Sequence, residues 1–231
     1  MRAGEKLVAS DGYEVALFPC EALYLTGARD PDEHDVLALD FRPVNVLGAR
    51  ITAMKCYAPF TGRIVYSGND HNCILQSDDL VYMPDGSLSY GRVLVAHSEV
   101  APVLNTHYIQ GQQFYTTGNF GQSYGEHLHM EIASVTSPIE RYWNSGTGIG
   151  LYKAIHMWNG MFVNDTALIK DGGYKWVEYN GGVTPPKPEE EKKVKRFPWV
   201  LYARKFRNNR ANVWQFALFI IYLRQGGDVD G

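Results

Sequence analysis

The feature that most constrains the fold is a succession of short apolar runs between turn residues, from about Tyr13 to Ile132. The runs are rich in branched and aromatic side chains and read VALF, DVLALDF, GRIVYSG, NCILQS, DLVYM, GRVLVAH and HLHMEIA. Runs of this length, bounded by Gly, Pro, Asn or Asp, are typical of β-strands. A Pro-Asp-Gly turn within Met83–Gly91 predicts a hairpin between two of them. We therefore predict a mainly β domain with a small antiparallel sheet over residues 1–180. Its later segments IERYWN and LYKAIHMW fit short helices or short strands equally well.

The composition changes sharply after this domain. Gly181–Arg196 combines prolines with a charged run and no apolar periodicity, which predicts a linker. Residues 1–188 carry 13 basic and 20 acidic side chains, whereas residues 189–231 carry 9 and 5. Within 197–231, the segment Ala211–Arg224 is apolar nearly all round and predicts a buried helix, so we expect a hydrophobic docking segment.

Several classes of protein are excluded by simple counts. Three cysteines without Cys-x-x-Cys spacing argue against a disulfide framework or a cysteine zinc knuckle. The first residues contain no apolar segment of signal-peptide length, so we do not expect secretion by the general route. The longest apolar stretch, Val213–Leu223, is shorter than the roughly 20 residues that a spanning helix needs.

The chemistry is concentrated in GEHLHMEIA, residues 125–133. Residues two apart in a strand face the same side, so His127 and His129 should project together while Leu128 and Met130 face the core. Neutral imidazole is a preferred zinc ligand and titrates near neutral pH. Two surface histidines on an amphipathic strand are the plain alternative.

Other candidate residues lie at strand ends in the same predicted sheet. His97 ends the run VLVAH, and His34 and Asp40 lie around the start of DVLALDF. We expect the three remaining histidines to have ordinary structural roles. We expect His71 to be solvated in its Gly-Asn-Asp-His-Asn turn, His107 to lie in a surface loop, and His156 to pack among aromatic side chains.

Taken in order, these segments resemble the M23 peptidases, the lysostaphin and LytM-type zinc endopeptidases that cut peptide cross-links in bacterial peptidoglycan. The resemblance covers roughly residues 30–133. It is carried, after an early His and Asp, by APFTGRI (58–64), VAH (95–97), a glycine-spaced stretch from Gly118, and GEHLHME (125–131). It implies a small, largely antiparallel sheet with one Zn²⁺ in a groove across it.

Carried over by position, the resemblance implies that His34, Asp40 and His129 bind the zinc ion and leave a fourth position for water. The family commonly has three residues between the first His and Asp, whereas His34 and Asp40 have five between them. A six-residue offset on a straight strand spans about 20 Å, so His34 must lie on a bent loop. Asp35 is the alternative to Asp40.

The resemblance further implies that His97 and His127 are the catalytic residues beside the metal. They would exchange protons with water and the leaving amine and stabilise the oxyanion. Which of the two is the general base stays open at this stage.

The sequence therefore predicts a zinc-dependent peptidoglycan endopeptidase. We expect it to be made in the host cytoplasm without a signal peptide and carried on a phage tail or virion. Other tail proteins would bind residues 197–231. Residues 192–210 include eight basic side chains, but nucleic acid is not an expected partner, because acidic residues 189–191 adjoin this run and no aromatic stacking pattern accompanies it. The alternatives are a phage lysis endopeptidase, a catalytically degenerate structural tail protein, and a C-terminal segment that contacts the membrane.

Overall fold

A computed structural model of the protein describes residues 1–27, 37–143 and 150–181. His34, Asp35 and nearly all of the predicted linker and docking segment lie outside the described residues, so those assignments stay predictions. The described residues form short strands and one helical turn, listed here in chain order: β1 (Glu14–Val15), β2 (Ala22–Gly27), β3 (Leu39–Phe41), β4 (Lys55–Tyr57), β5 (Gly62–Ser67), β6 (Cys73–Ser77), β7 (Val81–Tyr82), β8 (Leu88–Ala96), β9 (His107–Tyr108), β10 (Gln113–Thr116), β11 (Leu128–Val135), β12 (Ala154–Ile155), α1 (Met157–Gly160) and β13 (Ala167–Lys170).

The mainly β prediction is confirmed, and the sheet is largely antiparallel. Its strands follow the order β13-β2-β3-β11-β8-β6-β5-β9, with β12 added beside β11 and β7 beside β8. Two pairs, β1 with β7 and β13 with β2, are parallel, which the sequence did not predict. Strands β4 and β10 form a separate antiparallel pair. No helix among the described residues has the length and apolar character needed to cross a bilayer.

The predicted hairpin at Met83–Gly91 is present between β7 and β8. The amide of Met83 donates to the Ser87 carbonyl, and the amide of Gly86 donates to the Met83 carbonyl. Gly86 has φ +84°, a conformation that favours glycine. Other runs are shorter than predicted: VALF contributes only Val15 to a strand. LYKAIHMW contains both a strand, β12, and the start of α1.

Apolar side chains on one face of the central strands form the main core. They are fully or almost fully buried, and include Leu39 and Phe41 on β3, Leu128, Met130 and Ile132 on β11, and Val93 and Val95 on β8. Burial of each such side chain contributes about 1.5–3 kcal/mol. The opposite face carries a smaller apolar cluster of Ile74, Leu94, Ala133 and Leu151. The predicted site residues of β3 and β11 also lie on this second face.

Arg92 of β8 anchors the segment that covers the second face. Its side chain is fully buried and donates to the Gln76 side chain and to the carbonyls of Pro138, Glu140 and Arg141. Burial lowers the pKa of Arg92, but four acceptors satisfy its guanidinium. The chain that follows β11 is thereby tied to β8.

Glu140 fixes the turn that follows β11. One oxygen of its carboxylate accepts from the amides of Thr136 and Ser137, at 2.9 and 3.0 Å, and the other lies 2.8 Å from Lys153 Nζ. Hydrogen bonding to Lys153, and then to Thr136 and Ser137, lowers the pKa of Glu140 from 4.5 to about 2. The ionised carboxylate is therefore the form that the fold prefers.

We expect Glu140→Gln to make stability less dependent on pH. Because the pKa of the folded state is depressed, the carboxylate stabilises the fold above about pH 4.5 and loses this effect as the pH falls towards about 2. The variant should be less stable than the parent at pH 7, and the difference should shrink on acidification. Urea unfolding at several pH values measures this. Glu178→Gln, at an exposed position, controls for loss of charge alone, and a pH-independent difference for Glu140→Gln would contradict the prediction.

Candidate active site

The register of three neighbouring strands places the predicted site residues in one row. Strand β11 lies between β3 and β8, with His129 opposite Asp40 on one side and opposite Ala96 on the other. His97 follows Ala96 directly. Directly opposed residues in an antiparallel pair have Cβ atoms about 4.5–5.5 Å apart, so the register alone brings Asp40 and His129 together and leaves His97 one residue beyond the same row.

Strand alternation turns the side chains of Asp40, His127 and His129 to the second face of the sheet. Leu128 and Met130 are fully buried in the core, as the sequence predicts, while the side chains of His127 and His129 are 19% and 16% exposed. Asp40 lies between buried Leu39 and Phe41, and its carboxylate faces the histidines. The alternation of β3 thus matches that of β11 across the pair.

The side chains meet at short distances. Asp40 Oδ1 lies 3.1 Å from His129 Nδ1 and 3.7 Å from His127 Nε2. The ring centre of His97 is 4.6 Å from that of His127 and 6.0 Å from that of His129. The structure therefore brings together four of the five predicted site residues. The fifth, His34, lies outside the described residues, and the chemical roles of all five stay predictions.

Gly27 makes room for the Asp40 carboxylate. It pairs with Asp40 across β2 and β3, and a Cβ atom at position 27 would lie 3.1 Å from both Asp40 Cβ and Asp40 Oδ2. Any larger residue would press on the side chain that contacts the two histidines.

His129 lies between two carboxylates. Its Nδ1 faces Asp40, and its Nε2 is 3.7 Å from Glu131 Oε1. Glu131 is buried, and its other oxygen accepts from the Leu151 amide at 2.7 Å. Burial lowers the pKa of His129, but hydrogen bonding and attraction from Asp40 and Glu131 outweigh it and raise the pKa to about 9. The two carboxylates therefore stabilise positive charge at this ring.

The other two rings are held by backbone carbonyls. His97 Nδ1 donates to the Phe120 carbonyl at 3.0 Å, and His127 Nδ1 donates to the Gly125 carbonyl at 2.7 Å. When neutral, each ring then carries its lone pair on Nε2. Burial lowers the pKa of His97, and this effect outweighs the hydrogen bond to the Phe120 carbonyl, which raises it. Both rings therefore present the same nitrogen as a proton acceptor.

Gly118 allows the loop before β11 to approach His97 closely. A Cβ atom at position 118 would lie 2.5 Å from the His97 carbonyl oxygen and 2.6 Å from the Glu99 amide nitrogen, so a side chain there would clash with backbone. The Gly118 carbonyl also accepts from the His127 amide. A single glycine thus connects the two segments that carry His97 and His127.

The surroundings of the other described histidines agree only in part with the predictions. His107 is exposed, on the short edge strand β9 rather than in a loop, and His156 stacks on Trp158 with 4.5 Å between ring centres. The sequence predicts a solvated His71, whereas the structure packs its half-buried ring against Phe120. His71, Phe120, Glu131 and Gly27 are among the site neighbours that sequence reasoning did not assign. The closely spaced glycines from Gly118 onward were the one sequence signal for these neighbours. They indicate that a loop is present but not which residues it contacts.

The donors at the site fit part of a zinc centre. Two ligands of a tetrahedral zinc ion, each bound at about 2.1 Å, lie about 3.4 Å apart, close to the 3.1 Å between Asp40 Oδ1 and His129 Nδ1. A carboxylate and an imidazole are also the ligand types that zinc accepts. Within residues 1–27, 37–143 and 150–181, no group of three or more His, Cys, Asp or Glu side chains has the geometry of a metal site. The third predicted ligand, His34, is in the part of the chain between these ranges.

Comparison with known proteins gives matches at the level of structure only. No protein-family model matches the sequence, and no curated protein matches it. A zinc-containing peptidase from Vibrio cholerae is similar to this chain with a TM-score of 0.35 and 15% identity, over 55% of this chain and 42% of that one. The catalytic domain of lysostaphin from Staphylococcus simulans is similar with a TM-score of 0.31 and 20% identity, over 49% of this chain and 75% of that domain.

A third similar structure is the catalytic domain of the prophage-encoded M23 protein EnpA from Enterococcus faecalis. It has a TM-score of 0.37 and 12% identity, over 58% of this chain and 88% of that domain. This chain thus spans less than half of the Vibrio cholerae peptidase and most of the two catalytic domains.

Proposed function

We propose that this chain is a zinc-dependent endopeptidase that hydrolyses the peptide cross-links of bacterial peptidoglycan. The observation that carries the proposal is the meeting of Asp40 and His129 at 3.1 Å, with the rings of His97 and His127 beside them. These four residues come from three separate segments, and the ordered sequence motifs assign the same four to a peptidase site. If these were ordinary surface histidines, we would not expect their rings to cluster around one partly buried carboxylate.

Asp40 and His129 would hold the metal together with His34. When bound, zinc lowers the pKa of water towards about 7 and polarises a carbonyl group, which is the chemistry that amide hydrolysis needs. Glu131 fixes the orientation of the His129 ring from its far side, as carboxylates commonly do for metal-binding histidines.

His97 and His127 would carry the protons. Each ring has its Nδ1 hydrogen fixed on a backbone carbonyl, so Nε2 can take a proton from the attacking water and later return one to the leaving amine. The protonated rings would also stabilise the negative charge that develops on the carbonyl oxygen. Because the two rings are adjacent, they share these steps between them.

We propose further that the enzyme is carried on a phage tail or virion, where residues 197–231 bind other tail proteins. The support for this is compositional: a Pro-rich, charged linker at 181–196 precedes a strongly apolar segment. Tethering an enzyme at its site of action raises its local concentration without new contacts to the substrate.

We expect the purified full chain to bind one zinc ion, and Asp40→Asn and His129→Ala to lose it. Each substitution removes a ligand while leaving the core face of its strand unchanged. Metal analysis by mass spectrometry, with circular dichroism as the check on folding, measures this. His107→Ala, on the far edge strand β9, is the matched control and should keep its zinc. A folded His129→Ala variant that retains a full equivalent of zinc would contradict the assignment.

His97→Ala should keep its zinc and lose turnover by about 100-fold or more, the usual contribution of a positioned acid–base group. The measurement is the release of new amino groups from purified peptidoglycans of several bacteria. A His97→Ala variant that is as active as the parent, or free of zinc, would show that this histidine has another role. Absence of new amino groups with the zinc-loaded parent on every wall tested would remove the proposed activity itself.

The tail role predicts that the chain is present in purified virions. Antibody detection or mass spectrometry of particles purified free of lysate tests this directly. Its absence from virions, together with its presence in the lysate, would favour the lysis endopeptidase instead.

A further inference from the structure

His71 lies outside the cluster of predicted site residues but contacts the parts of the chain that hold His97. It belongs to the turn between β5 and β6, and its ring stacks on that of Phe120 with 3.6 Å between ring centres and 5° between ring planes. The carbonyl of the same Phe120 accepts the Nδ1 hydrogen of His97. His71 therefore packs against the residue that orients the His97 ring.

A second contact of His71 reaches the residue next to His97. His71 Nδ1 donates to the Ser98 carbonyl at 2.8 Å. The hydroxyl of buried Tyr115 accepts from the Ser98 amide at 2.7 Å and donates to the His71 carbonyl at 3.0 Å. The turn that carries His71 and the segment after His97 are thus joined by three hydrogen bonds through one side chain and one buried hydroxyl.

The backbone of His97 needs such support. Its φ is +79°, in the left-handed region, and the φ of His71 is +53°. A non-glycine residue in this region is conformationally unfavourable and persists where the surroundings fix it. For His97 the surroundings are the Phe120 amide, which donates to the His97 carbonyl at 3.2 Å, and the contacts of Ser98.

A further contact joins the two loops independently of His71. A Cβ atom at Gly121 would lie 3.3 Å from Asp70 Cβ, so the loop after Phe120 rests directly on the turn that carries His71. The stacked rings are therefore part of a packed junction between the two loops.

We propose that His71 is a positioning residue for His97. By packing on the Phe120 side chain and bonding the Ser98 carbonyl, it fixes the His97 ring with Nδ1 on the Phe120 carbonyl and Nε2 as the proton acceptor. The catalytic meaning of this role rests on the proposed peptidase function. An error of about 1 Å in the position of such a group can cost about 100-fold in rate, so the role has a measurable consequence.

Two variants separate the two contacts of His71. His71→Asn keeps a side-chain N–H donor and tolerates a positive φ, but has no ring to stack on Phe120. His71→Phe keeps the ring and loses the donor to Ser98. In the zinc-loaded full chain, we expect each variant to lower kcat about 10-fold, with KM within about twofold of the parent and one zinc per chain retained. His71→Ala, which removes both contacts, should lower kcat by more than either.

The matched control is His107→Asn. His107 is also a histidine with one side-chain hydrogen bond, from Nε2 to Asp78 at 2.7 Å, but it lies on β9 at the far edge of the sheet. Its kcat should equal that of the parent. A role in stability alone would lower the melting temperature of the His71 variants and leave kcat unchanged at temperatures where they are folded.

A second readout does not depend on activity. Long-range ¹H–¹⁵N spectra of the histidine rings, recorded near pH 8 where free imidazole is neutral, report which nitrogen carries the proton. The parent should show His97 protonated on Nδ1, and the His71 variants should show a mixture of the two tautomers. In an active enzyme, unchanged kcat in all His71 variants would overturn the proposal. If the parent cleaves no peptidoglycan, the proposed function fails, and unchanged His97 ring signals in the variants would then overturn the positioning role by themselves.

Discussion

The pairing of β3, β11 and β8 is the constraint on which the rest of the site depends. In the observed register, Asp40 lies opposite His129, and His129 lies opposite the residue before His97. Side chains alternate along a strand, so a slip of one residue would turn Asp40 into the core and expose Leu39 or Phe41. The apolar residues on the core face oppose any such slip. The side chains that carry the chemistry are therefore placed by residues that take no part in it.

Placing polar residues on one face of β3 and β11 and apolar residues on the other has an energetic cost, because the polar side chains are also largely buried. A carboxylate and an imidazole that are mostly buried lose hydration, and this cost is offset only when the groups pair. Asp40 and His129 pair at 3.1 Å, and Glu131 approaches the other side of the same ring. Two carboxylates around one imidazole stabilise positive charge at the site, whether it is a proton on the ring or a bound cation. Under the proposed function, that cation is the metal held by Asp40 and His129.

The sequence predicts the parts of this site that follow from strand alternation. His-Leu-His-Met places two histidines on one side of a strand, and Leu-Asp-Phe places a carboxylate between two core residues. It does not predict the contacts of His71 with Ser98 and Phe120, because these join two turns and a strand end whose proximity arises only when the sheet has formed. The parallel strand β13 was missed for the same reason: its partner, β2, is far away in the chain. A turn sequence such as Gly-Asn-Asp-His-Asn describes a local bend and contains no information about what packs on it.

The site residues are also held in two different ways. Asp40 and His129 are on strands inside the sheet, where backbone pairing on both sides fixes their positions. His97 and His127 lie just outside strand ends, and carbonyls of the Gly118–Glu126 loop orient their rings. Under the proposed function, the metal ligands are thus part of the rigid sheet, while the residues that move protons depend on loop backbone. Changes in that loop can therefore alter proton transfer while leaving the metal ligands in place, so that sequence change in the loop can tune turnover without loss of the metal.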